Sequence, residues 1–231
     1  MKILAIEASA KTAGACVMSE GRVLAEYNIN NGLTHSQTLM PMVAQVMEAS
    51  GLKGEDLDVV AFTNGPGSFT GLRIGAATAK GLAMGWNKPV LPLPTLEAMA
   101  CGAVEFEGLV VPVMDARRHQ VYTAVYRSVG GGLTEVLSAR AIAAKDLVSF
   151  LEEQKEKVLV LGDQEAVGPF EGRMDAPAHM REMRAASLCW IAERKLDSGV
   201  SPVPSDQVTV EYLRRPQAER ERLEKEAAHG K

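Results

Sequence analysis

A carboxylate closes each of two apolar stretches of this chain, Glu7 after residues 2–6 and Asp115 after residues 109–114. An acid at the end of a buried strand can hold metal-bound phosphate through water, or it can cap the turn that follows. Ala8-Ser9-Ala10 comes after Glu7, with no Gly-x-Thr, so capping is the simpler reading. Glu7, Ser9 and Asp115 together are the candidates for a vestigial nucleotide site.

The run Gly65-Pro66-Gly67-Ser68-Phe69-Thr70-Gly71 carries the most information. Glycines let a backbone turn tightly after a strand and present amide N–H groups at a helix start, where an anion can sit. No Gly-Lys-Ser/Thr follows, so this is not a Walker A loop. The run is either a structural turn or a phosphate cradle. The helix behind it places Gly71, Gly75 and Ala79 four residues apart, with Gly81 and Gly85 beyond. Each interior glycine costs about 0.5–1 kcal/mol relative to alanine. Several in one helix imply a close approach to its backbone, by the protein's own sheet or by a helix of another chain. Leu72, Ile74, Leu82 and Met84 add apolar cover on several sides.

His35, His119, His179 and His229 have no second His or Cys at helical ligand spacing, and no Gly-x-Ser-x-Gly elbow marks a nucleophile. Cys16, Cys101 and Cys189 are far apart in apolar surroundings and read as buried, reduced thiols.

These residues need a scaffold of alternating strands and helices. Apolar runs at 2–8 and 14–18 and a period-two face of Val23, Ala25, Tyr27 and Ile29 predict three strands. Thr34 with Gln37 resembles a capping box opening a helix to about residue 50, with a kink at Pro41. Leu39, Met40, Val43, Val46 and Met47 give that helix an apolar side. A strand at 57–63, the glycine turn, a helix at 68–86, a strand at 90–93 and a helix from Thr95 follow. The pattern then restarts, with strands at 109–115, 120–127 and 133–142, a helix near 144–153 and a strand at 158–161. That is a duplicated α/β unit. Residues 162–182 read as a loop, 185–196 as an amphipathic helix and 199–207 as a Pro/Ser linker. The tail beyond Pro216 is highly charged, and fraying is expected there.

The chain has 231 residues, a formal charge of −4, 46% hydrophobic and 23% charged residues. Its size and balance are those of an ordinary globular protein with a real core. Charges alternate in sign, as in Glu219-Arg220-Glu221-Arg222, which gives helical ion pairs and no phosphate track. Direct tRNA or other RNA binding is disfavoured. The N-terminus reaches Glu7 too early for a signal peptide, and no run is of membrane-spanning length. A cytoplasmic location is expected.

Four motifs, in order, resemble the TsaB (YeaZ) family. They are the run from Gly65 to Gly75 with Ala79-Lys80-Gly81-Leu82-Ala83 after it; Thr95-Leu96-Glu97-Ala98; Asp115-Ala116-Arg117-Arg118 with Val121-Tyr122; and Tyr212-Leu213-Arg214. The resemblance implies an α/β, ASKHA (actin-like, Hsp70-like, ribonuclease H-like) fold with two related lobes, residues 1–104 and a reduced 105–231. It implies a non-catalytic scaffold that activates a TsaD-type subunit, with a TsaE-type ATPase in a larger complex, for threonylcarbamoyl transfer to the tRNA adenosine next to the anticodon. The family's transferase holds metal on a His-x-x-x-His motif, and here Thr95 to Met99 stand in that place, so neither metal nor other cofactor is expected. The family's partner contact, and its homodimer when alone, use the helices mapped to 34–50 and 68–86. Leu39, Met40, Val43, Met47, Gly71, Leu72, Gly75, Thr78, Ala79 and Leu82 are the implied interface. The competing expectation is an ASKHA-type phosphotransferase or metallopeptidase, which would bind nucleotide or metal.

Overall fold

The computed structural model describes residues 1–213; Arg214, His229 and the charged tail lie outside the described residues. Strands β1 (Lys2–Glu7), β2 (Ala13–Ser19) and β3 (Arg22–Ile29) form an antiparallel meander. Helix α1 (His35–Ser50) crosses to β4 (Val59–Gly65), and α2 (Phe69–Trp86) crosses to β5 (Val90–Pro94), both strands parallel to β1. After α3 (Thr95–Cys101) the order repeats. Strands β6 (Gly108–Asp115), β7 (Gln120–Val129) and β8 (Gly132–Ala143) precede α4 (Ala144–Gln154), β9 (Val158–Gly162), β10 (Arg173–Asp175), α5 (Ala178–Arg181) and α6 (Ala185–Asp197).

The two sheets have the same topology, β3-β2-β1-β4-β5 and β8-β7-β6-β9-β10. The duplicated, actin-like α/β architecture is therefore present, down to the strand order. The reduction of the second unit has a definite place. Where α2 joins β4 to β5, only a 3-10 turn, Gln164–Ala166, follows β9.

Residues 162–182, read from sequence as a loop, contain β10 and α5. Strand β10 is three residues long and lacks an apolar pattern of its own. It exists because it pairs with β9, and because buried Gln164 donates to the carbonyls of Val160 (2.8 Å) and Ala176 (3.0 Å). The 199–207 linker is likewise ordered on the first sheet, where Val203 bridges Val90 antiparallel. The capping box at α1 does not form. The Thr34 hydroxyl donates to the side-chain oxygen of Gln37, and the Gln37 amide takes the Thr34 carbonyl.

The sequence pattern accounts for the layers. On α1, Leu39, Met42, Val43 and Val46 fall at i, i+3, i+4 and i+7 and pack on the outer face of the first sheet with α2. The inner faces of both sheets enclose α3 and α6 in one shared core, which includes the free thiols Cys16, Cys101 and Cys189. Helix α4 covers the outer face of the second sheet through Leu147 and Leu151.

Helix α6 lies on the first sheet although it follows the second in sequence. Its N-terminus is capped from β3. The Glu26 carboxylate accepts from the Ala186 amide (3.0 Å), and the Asn28 side chain accepts from the Ala185 amide (3.2 Å). Gly14 makes room for this, since a Cβ there would lie 2.5 Å from Asn28 Oδ1.

Candidate functional site

The C-terminal ends of β1, β4, β6 and β9 open on a cleft of about 560 Å³ between the lobes. Ser9, Lys11, Gly67, Ser68, Met99, Asp115, Asp163 and Tyr212 are among the residues that line it. This is the end of a parallel sheet where α/β proteins place ligands.

Glu7 lies fully buried beneath that end. One carboxylate oxygen accepts from the Ser9 amide (2.7 Å), the Ser9 hydroxyl and the Ala10 amide (3.3 Å), and the other has no partner. Burial pushes its carboxyl above the ordinary carboxylate range, against the hydrogen bonds from Ser9 and Ala10 that favour the ionised form. Asp115, in the equivalent place on β6, is exposed and accepts from the Arg117 amide at 2.7 Å. Both acids cap the turns that follow them. The pair differs in burial, and one oxygen of each accepts from the loop that follows it.

The glycine loop is a structural turn. A Cβ at Gly67 would lie 2.4 Å from the Ser9 carbonyl oxygen, and one at Gly71 would lie 2.0 Å from that of Ala8. The Ser68 amide donates to Ser9 (2.7 Å), and the Gly71 amide donates to the Ser68 hydroxyl (3.3 Å), which caps α2. Those two N–H groups are engaged within the loop itself. His35, in the first turn of α1, bonds the Ala10 carbonyl at 2.8 Å and ties that helix to the same loop.

Across the cleft, Lys11 pairs with Asp163 at 2.6 Å, and the second Asp163 oxygen accepts from the Asp115 amide at 2.8 Å. An ion pair thus joins the lobes where the acids of the two repeats converge. No sequence spacing links residues 152 positions apart, so this pair was invisible before the fold. Arg73, Phe69 and Tyr212 form a second unforeseen cluster. All three residues lie in family motifs, but nothing in the sequence paired Tyr212 with Phe69 and Arg73.

Thr95 and Met99, where the family resemblance would put the transferase's paired histidines, are buried, and Met99 lines the cleft. A hydroxyl and a thioether do not fit a site for iron or zinc. Among the described residues no group of three or more His, Cys, Asp or Glu side chains could hold a metal ion.

The ten residues expected at a partner surface divide. Leu39, Val43, Gly71, Leu72, Gly75 and Ala79 point into the chain's own core, which corrects their assignment as surface anchors. The glycine stripe is small because α2 lies on the end of β1, where Gly75 would place a Cβ 3.2 Å from that of Ala8. Met40 is exposed, and Met47, Thr78 and Leu82 are half-buried. The outward face of α2 consists of Thr70, Ile74, Ala77, Gly81 and Met84, flanked by Arg73 and Lys80. No heavy atom of the described structure would lie within 4 Å of a Cβ at Gly81 or Gly85. Among the described residues no helix is long and apolar enough to cross a membrane.

The model of the family "TsaD: tRNA N6-adenosine threonylcarbamoyltransferase" matches residues 23–171. The tRNA threonylcarbamoyladenosine biosynthesis protein TsaB of Bacillus subtilis is 37% identical over 162 residues, 70% of this chain and 71% of that protein. Two Pseudomonas aeruginosa structures, each 25% identical, share the fold over nearly their whole length. One is described as similar to peptidase YeaZ (TM-score 0.80, covering 92% of this chain and 99% of that one). The other is YeaZ (TM-score 0.75, 91% and 99%). With the repeated strand order and the glycine turn, these likenesses place the chain in the TsaD family and, within it, in the TsaB (YeaZ) group.

Proposed function

We propose that this protein serves tRNA threonylcarbamoyladenosine biosynthesis as a non-catalytic subunit. It docks on a TsaD-type transferase through the outward face of α1 and α2. The observation that carries this reading is the surface of α2. Thr70, Ile74, Ala77, Gly81 and Met84 make a low, nearly uncharged stripe; Met84 is 59% exposed, and Met40 of α1 is 48% exposed. Internal packing does not require small residues there, whereas a partner helix that approaches the backbone closely does. The same face accounts for a homodimer when the partner is absent, because two copies present identical stripes. A TsaE-type ATPase completes the assembly at a surface elsewhere. The formal charge of −4 leaves tRNA contact to other subunits.

Support for a docking role also comes from the cleft. Glu7 and Asp115 cap their own loops, Ser68 and Gly71 spend their amides internally, and Lys11 neutralises Asp163. The test is Gly81→Arg. The open surroundings of Gly81 predict an intact fold, while a long charged side chain in the stripe holds a partner helix away. The variant is expected to lose co-elution with the TsaD-type subunit in gel filtration at micromolar concentration. Reconstituted tRNA modification should then fall to the level seen without this chain. Undiminished co-elution of Gly81→Arg would remove α2 from the interface.

A further inference from the structure

The last described stretch of the chain is fastened to the glycine loop. After the bridge between Val203 and Val90, the Lys80 ammonium reaches the Asp206 carbonyl at 3.4 Å and Val208 packs on the outer core cluster. The Glu211 amide then donates to the Asn64 carbonyl at 2.8 Å. The Glu211 carbonyl oxygen lies where a Cβ at Gly65 would be 2.1 Å away, and Gly65 has φ +135°. Only glycine permits both this backbone conformation and this approach. Beyond it, the Tyr212 ring lies 4.9 Å from that of Phe69. The Arg73 guanidinium sits 3.8 Å over the Phe69 ring, and its Nε donates to the Tyr212 hydroxyl at 3.1 Å.

These contacts link one segment, residues 208–213, to one loop, residues 64–73. They are mostly polar and near the surface, and Tyr212 remains 39% exposed. A stretch with few buried apolar groups opens at lower free energy than the sheets behind it. The Asn64 carbonyl, Gly65 and Phe69 all take contacts from the segment, so its departure removes neighbours from the loop.

We propose that residues 208–213 form a detachable strap seated on the glycine loop, and that strap and loop open together before the two sheets do. Glu211, Tyr212 and Leu213 form part of the wall of the inter-lobe cleft, so the strap controls how open its mouth is. Opening exposes the Asn64 carbonyl, the Phe69 ring and the Arg73 guanidinium at the start of α2.

Hydrogen–deuterium exchange of the full-length chain tests this, read at residues 208–213 and at the loop amides Ser68, Gly71 and Leu72. In rising urea, strap and loop amides of the wild type are expected to converge on one opening that precedes exchange in β1 and β4. Tyr212→Ala should speed both sets together, at least about tenfold each, as loss of one hydrogen bond and one ring contact implies. Exchange in β1 and β4 should not change. The proposal is overturned if the wild-type strap exchanges only with β1 and β4, or if strap amides speed up while loop amides keep their wild-type rates.

Discussion

Replacing Gly71 by alanine should destabilise the protein, although alanine is the better helix former. In an open helix the exchange gains about 1 kcal/mol. At Gly71 the new methyl would lie 2.0 Å from the Ala8 carbonyl oxygen and 3.2 Å from His35 Cδ2. The obstacle at 2.0 Å is backbone at the end of a central strand, so no rotamer change relieves it. Helix or strand must move by more than about 1 Å to restore van der Waals contact, and strain of that kind costs about 1–3 kcal/mol or more. The carbonyl's rigidity puts the cost at the upper end, so a net loss of about 2 kcal/mol is expected after the propensity gain. Gly81→Ala is the internal control. Nothing obstructs a Cβ there, and a gain of about 1 kcal/mol is expected. Urea unfolding measures both, with equal m-values showing that only the native state was altered. A Gly71→Ala midpoint at or above the wild type would refute the inward assignment of the glycine stripe.

Two further outcomes follow from the buried acids. Glu7 has a raised carboxyl pKa, so its stabilising share is complete below about pH 4.5 and is lost as pH rises through the folded value. Glu7→Gln should therefore gain in melting temperature relative to wild type between pH 5 and pH 8; parallel curves would count against a protonated Glu7. Glu26 behaves oppositely. Burial acts to raise its carboxyl pKa, but Arg184, Asn28 and the Ala186 amide outweigh that and leave it lowered. Its contribution is present above about pH 4.5 and disappears as pH falls through the folded value. Glu26→Ala should cost about 1–2 kcal/mol at pH 7 by uncapping α6. The cost should shrink in acid, and a pH-independent loss in chemical denaturation would rule out the charged cap.

Much of the fold was legible because the signals were local. Strand β4 and helix α2 meet at a glycine run that can only turn, and the stripe on α1 has helical period. The repeat was readable from two apolar strands that end in acids. What escaped was held by partners distant in sequence. Strand β10 lacks a pattern of its own and rests on β9, and Glu26 and Asn28 are polar residues of β3 that carry no local sign of a partner. They face the N-terminus of α6, about 160 residues on. The candidate site was half legible. Glu7 and Asp115 were found by their place at strand ends. Lys11 and Asp163 gave no signal, and Arg73 stood in the glycine-run motif with no sign of its partner, because these partners are brought near only by the closed fold.

The glycine helix shows why spacing alone could not assign its surface. Gly71, Gly75, Ala79 and Ala83 recur every four residues and are buried, the glycines against Ala8 at the end of β1 and the alanines in the outer core cluster. Ile74, Ala77, Gly81 and Met84 recur at helical spacing as well, but on the opposite side. The first stripe answers a demand of the fold and would exist in a protein that worked alone. In the second, Ile74 packs on the outer core cluster, but Gly81 answers no internal demand, since a Cβ there meets no atom of the described structure and a solvated helix gains stability from alanine or charged residues. Gly81 is a destabilising choice on the side of the helix that the spacing-four glycines do not occupy, and the proposed docking face accounts for it.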